Sequence, residues 1–128
     1  MIVTIGIGCK RGAGPGEVLE LVRATLAEAG LPPSAVACIA TIDRKKDEAA
    51  IVELAAKFGV PVRFFPADAL AAETRIMHPS KDVAAMVGTE SIAEAAALLA
   101  AGSGAKLIVR KRKSAHATCA IAASGDKP

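Results

Sequence analysis

The feature that most constrains this chain is its opening, residues 2–16, which read IVTIGIGCKRGAGPG. A run rich in Ile and Val passes abruptly into glycine, cysteine and two cations, as a buried strand does when it ends in a functional loop. Residues 15–29 then carry helical spacing, with Leu19, Val22, Leu26 and Ala29 on one face. Gly30, followed by Pro32 and Pro33, supplies the stop. Strand, glycine turn and helix put Cys9, Lys10 and Arg11 at the carboxyl edge of a sheet, where open α/β folds take their ligands. The amides of Gly12, Gly14 and Gly16 are expected near the helix N-terminus, a place that favours anions. Nucleotide motifs do not fit. Arg11 stands where a dinucleotide fingerprint needs its third glycine, and no Gly-Lys-Ser/Thr closes a phosphate loop. The competing reading is a turn that merely links strand to helix, its two cations solvated.

The core must be aliphatic. The sequence is 52% hydrophobic but 2% aromatic, so Ala, Val, Ile and Leu fill the interior, and alanine-rich helices can lie close to a sheet. A chain of 128 residues suits one domain, expected over residues 1–123 with a flexible tail over 124–128. No apolar run reaches the roughly 20 residues that span a bilayer, and no cationic stretch precedes Ile2 as in a signal peptide. Cys9, Cys38 and Cys119 form neither a CxxC pair nor an even set, so a reducing, cytoplasmic location without membrane association is expected. Cys38 lies in an apolar run and reads as a small buried hydrophobe. The net charge of +3 does not compel nucleic-acid binding, and without Tyr or Trp there is little to stack on bases, so no nucleic-acid partner is expected. The cations are nevertheless grouped, at Lys10-Arg11, at Arg44-Lys45-Lys46 and over residues 110–113.

Residues 36–42 (VACIATI) predict a second, doubly buried strand, and Asp43 begins a polar segment. Ile51, Leu54, Ala55 and Phe58 mark a helical face closed by Gly59 and Pro61. Residues 62–65 predict a third strand, 69–73 a short helix and 74–81 a surface loop containing His78. Ser91-Ile92-Ala93-Glu94 has the form of a capping box, with Ser91 closing the N3 amide and Glu94 reaching back; the helix it opens runs to Ala101. Residues 106–113 and 117–123, joined by Ser114-Ala115-His116, predict an antiparallel hairpin. The expected fold class is α/β, a three-layer α/β/α domain with a mixed, mostly parallel sheet and a C-terminal antiparallel hairpin.

The second informative stretch is residues 41–48, TIDRKKDE. Three cations at a helix start oppose its dipole at a cost of roughly a few tenths of a kcal/mol each where exposed, so stability does not ask for them. If this turn opens on the same sheet edge, they face the crevice of Lys10 and Arg11. The alternative is a solvated loop with Asp43 or Asp47 as N-cap.

Four stretches in order, GIGCKRG, TIDRKKDE, VGTESIAEAAAL and KRKSAHATCAIA, resemble the CobE/CbiG C-terminal family of cobalamin biosynthesis over about residues 3–122. In that family the domain stands alone or forms the C-terminal half of a cobalt-precorrin-5A hydrolase; with nothing before Met1, the stand-alone form is the closer match. Position by position, the resemblance implicates Gly8, Cys9 and Arg11, then Thr41, Asp43, Lys45 and Glu48. It also implicates Gly88, Ser91 and Glu94, and finally Lys111 and Thr118. Lys10 joins the ligand-binding set beside Arg11. Arg44 stands where many relatives carry an apolar residue, residues 75–79 match no family motif, and the family gives none of these positions a settled catalytic role.

The implied ligand is a precorrin or other corrinoid intermediate, whose acetate and propionate groups surround a flat ring. Its receptor needs several cations about an apolar platform. As a carrier or accessory factor, the protein would pass this pigment between corrin-pathway enzymes. As a hydrolase it would open a ring lactone with Asp43 or Glu48 as base and Lys45 as electrostatic partner. No Ser-His-Asp order and no metal-ligand spacing supports the second, and neither metal nor cofactor is expected. Binding is therefore the favoured reading; a third is a small regulatory domain for another polyanion. Cys9, beside two cations that favour a thiolate, is expected to assist binding geometry rather than act as a nucleophile.

Overall fold

The computed structural model describes residues 2–43, 48–73 and 89–124, with side chains from Ile92 onward in the last stretch. Lys45, Gly88 and His78 lie outside the described residues, as does the predicted loop over 74–81 and the tail over 125–128.

Strand β1 (Val3–Cys9) is buried along its whole length. Helix α1 (Pro15–Ala29) begins after Gly14 with Pro15 in its first turn, and ends at Gly30, whose φ of 72° lets its amide turn back to Ala27 and Leu26. Strand β2 (Val36–Ile42), helix α2 (Ala49–Phe58) and strand β3 (Val62–Phe65) make the second βαβ step. Helices α3 (Ala67–Ala71) and α4 (Thr89–Ala101) and the hairpin β4 (Lys106–Lys113) to β5 (Ala117–Ala123) complete the chain.

The sheet order is β3-β2-β1-β5-β4, with β1 at the centre. β1, β2 and β3 are parallel, and β5 runs against both β1 and β4. Four strands thus point one way and β5 the other, the mixed sheet expected. Pleating divides β1 between two faces. Val3, Ile5, Ile7 and Cys9 face a cluster that includes Val18, Val22 and Leu26 of α1 and Ile51 and Leu54 of α2.

The other face is built from small residues. A Cβ placed on Gly6 would lie 1.9 Å from the carbonyl oxygen of Ala93, so α4 lies directly on the β1 backbone. Ala93, Ala95, Ala96 and Ala97 are fully buried there, which accounts for the alanine bias of this helix. Ile92 packs with Ile42 at the end of β2, and Ala97 and Leu98 with Ala122, opposite Thr4 at the start of β1. Helix α4 therefore runs antiparallel to β1, with its N-terminal end toward the carboxyl edge.

Three local expectations are corrected. α4 begins at Thr89, so Ser91 lies inside it and cannot be its N-cap. Glu94 is buried, and its Oε2 accepts the Lys111 amide at 2.9 Å where the β4–β5 register shifts between Val109 and Arg112. An extra residue in a strand leaves ladder groups without a partner, and Glu94 supplies one. Asp43 does not cap α2, whose N-cap position is Glu48; Asp47 lies outside the described residues. The short helix starts at Ala67, two residues earlier than its periodicity indicates, since the Pro66 carbonyl accepts from Ala69 and Leu70.

Candidate anion-binding site at the carboxyl edge

Three segments meet where β1 ends. The β1–β2 ladder stops at the pair Gly6 and Ala40, and beyond it Thr41 Oγ1 donates to the Ile7 carbonyl at 2.7 Å. On the other flank, Thr118 Oγ1 donates to the Gly8 carbonyl at 3.3 Å. Beyond the point where β2 leaves β1, the β1 carbonyls thus accept from hydroxyls of both neighbouring strands. The loop then turns through Gly12, whose φ of 81° suits glycine, with the Ala13 amide donating to the Lys10 carbonyl at 3.0 Å. The Gly12 amide donates to Glu48 Oε2 at 2.9 Å, which ties the first loop to the start of α2. This amide, expected for an external anion, is occupied by a carboxylate of the chain itself.

The hairpin turn forms the third wall. The Lys10 amide donates to the His116 carbonyl at 2.9 Å. Glu17, in the first turn of α1, accepts three bonds from the turn: from Ser114 Oγ, from the His116 amide at 2.7 Å, and from His116 Nδ1 at 3.0 Å. These donors, Ser114 first and the His116 ring next, hold the Glu17 carboxyl down to about 2. Between loop and turn lies a shallow depression of about 200 Å³ lined by Lys10, Lys113, Ser114, His116 and Thr118.

The edge gathers Gly8, Lys10, Arg11, Thr41, Glu48 and Thr118, with Asp43 exposed just beyond β2. Lys10 and Arg11 are exposed. Cys9 points away from the edge into the core beneath α1 and α2; a ligand at the surface does not meet its sulfur, so any aid it gives to binding comes from below. Lys111 sits at the β4 irregularity, half-buried. Arg112 of the same cationic cluster forms a bidentate pair with Glu28 of α1 through Nε and a terminal nitrogen, an arrangement that raises its pKa further. Glu17, Ser114 and His116 were not singled out as site residues by sequence reasoning, and Lys113 only as part of the cation cluster over residues 110–113. The turn itself was legible, but nothing local links it to a glutamate on α1.

The family model for the cobalamin synthesis G C-terminus matches residues 3–122. The chain belongs to this family. It is 42% identical over 121 residues to Protein CobE of Sinorhizobium sp, covering 94% of this chain and 79% of that protein. It is 32% identical over 121 residues to a cobalt-precorrin-5A hydrolase of Priestia megaterium, covering 94% of this chain but 32% of the hydrolase. Among solved structures it resembles that of CobE, a protein from the cobalamin (vitamin B12) biosynthetic pathway, with a TM-score of 0.81 at 36% identity, covering 94% of this chain and 89% of that one. This member of the CobE/CbiG family is a cobalamin biosynthesis protein. Among the described residues, no helix is long and apolar enough to cross a membrane.

Proposed function

We propose that the protein binds an anionic precorrin at the carboxyl edge of its sheet and serves as a carrier or accessory factor in cobalamin biosynthesis. The observation that carries this reading is the convergence of Lys10, Arg11 and Lys113, from two distant segments, on one edge where two carboxylates, those of Glu17 and Glu48, are already committed to the chain while that of Asp43 is exposed. Glu48 holds Gly12 and Glu17 holds the hairpin turn, so neither stands ready as a general base. Similarity to a CobE over most of both chains supports the same reading. Such a carrier would act in the cytoplasm and hand its pigment to corrin-pathway enzymes. The hydrolase relative covers this chain with only 32% of its own length, which makes lactone opening the weaker alternative.

The test is titration of a metal-free corrin bearing free acetate and propionate groups into the parent, Arg11→Ala, Lys113→Ala and Lys45→Ala proteins. Each substitution should weaken binding by about 1 to 3 kcal/mol, the range for a hydrogen bond to a charged group. Added salt should weaken the parent more than the variants, which have fewer exposed pairs to screen. Unchanged affinities in all three variants would remove the site, and a mass change in the recovered pigment would favour the hydrolase.

A further inference from the structure

Resting on that reading, the geometry of the hairpin turn supports a more specific step. We propose that His116 is a ligand-contacting residue of the site, and that a carboxylate bound there draws a proton onto its Nε2, so that binding takes up a proton.

The ring is fixed at one end and open at the other. Its own amide donates to Glu17 Oε2 at 2.7 Å and its carbonyl accepts from the Lys10 amide at 2.9 Å, which anchors the residue between α1 and the β1–α1 loop. Its Nδ1 lies 3.0 Å from Glu17 Oε1. Glu17 stays ionised down to about pH 2, and an ionised carboxylate can only accept, so Nδ1 is the nitrogen that carries hydrogen. The lone pair of neutral His116 is thereby assigned to Nε2. Over half of the side chain, 56%, is exposed, and the ring lines the depression with Lys10 and Lys113.

Glu17 from α1 meets the ring at Nδ1, and Lys10 from the β1–α1 loop and Lys113 from its own hairpin line the same depression as His116. Two ammonium groups and the imidazole thus line one depression. An incoming carboxylate that pairs with Lys10 and Lys113 screens them and offers Nε2 a charge-assisted partner, which favours the imidazolium. Proton and ligand then promote each other's binding, because linkage is reciprocal. Affinity should fall as pH rises.

The experiment is calorimetric titration of the same metal-free corrin polycarboxylate into parent and His116→Asn proteins, in buffers of different ionisation enthalpy and from mildly acidic to mildly alkaline pH. A fraction of a proton should be taken up by the parent and a smaller one by His116→Asn, whose affinity should vary less with pH. Binding with equal proton uptake in both overturns this inference and leaves the site intact; no binding in either overturns both. A ligand-free measurement addresses the ring directly. Nitrogen NMR of the parent should show His116 as the Nδ1–H tautomer when neutral, assigned against His78 by loss of the signal in His116→Asn. An Nε2–H tautomer there would overturn the inference whatever the corrin does.

Discussion

Gly6 has no side chain, and the packing of one whole layer depends on that. An added Cβ would meet the Ala93 oxygen at 1.9 Å and the Ala97 nitrogen at 2.8 Å, both backbone atoms of α4 that cannot swing aside. Gly6→Ala should therefore cost about 3 kcal/mol or more, at or above the upper end of ordinary overpacking, read as a lower urea midpoint. Gly16→Ala is the control. It lies in α1 with nothing within 4 Å of the added carbon, and should be neutral or stabilising by up to about 1 kcal/mol. The same scale explains the placement of Cys9. Its neighbours in sequence are Lys10 and Arg11, but its neighbours by a period of two are Ile7, Ile5 and Val3, and the pleat obeys the second relation. The burial of its thiol was legible in the alternation, whereas its closeness in sequence to two cations does not say which face it takes.

Among the elements, α4 and β4 show where local pattern and tertiary demand diverge. Ser91 and Glu94 stand three apart, the spacing of a capping box, but the same spacing places two residues on one side of a helix already under way. Because the helix begins at Thr89, the second geometry holds, and Glu94 is used in the third dimension on the Lys111 amide. Removing that acceptor leaves a donor without its partner, which costs about 1 to 3 kcal/mol beyond the packing lost. Glu94→Ala should thus be markedly destabilising and should speed exchange of the Lys111 amide. Glu94→Gln, which keeps a side-chain oxygen, should retain most of both stability and protection. The helices and strands themselves were legible because Gly30, Gly59 and the prolines punctuate them. The β4 irregularity was not, since KLIVRKRK gives no sign of which residue leaves the ladder.

For the whole molecule, alternating β and α segments told the direction of the first three strands but not the neighbours of the hairpin, which could have been added to either edge. It inserts β5 beside β1, and this placement brings the Ser114–His116 turn to the edge that the β1 loop already occupied. The carboxyl-edge site was thus half visible in the sequence; the clamp between Glu17 and His116 joins residues 99 positions apart and was not. The same insertion buries Cys119 completely, and desolvation pushes its thiol from 9.0 up to about 12, a hydrogen bond with the Thr25 side chain opposing only in part. The unfolded chain loses this proton near pH 9 while the folded one retains it to about 12. Stability should therefore decline as pH rises above about 9, and Cys119→Ala, though less stable at neutral pH, should show a shallower decline in urea titrations across that range.

β1 is made first and β5 last, yet they lie side by side from Val3 opposite Ala123 to Cys9 opposite Ala117. On a ribosome adding about 5 to 20 residues per second, the central strand waits on the order of ten seconds for its second flank to be covered. Until then it offers an unpaired edge rich in Ile and Val, a surface that recruits other chains. Nascent copies on one message are thus exposed to one another from the emergence of β1 until that of β5, whose pairing ends the exposure.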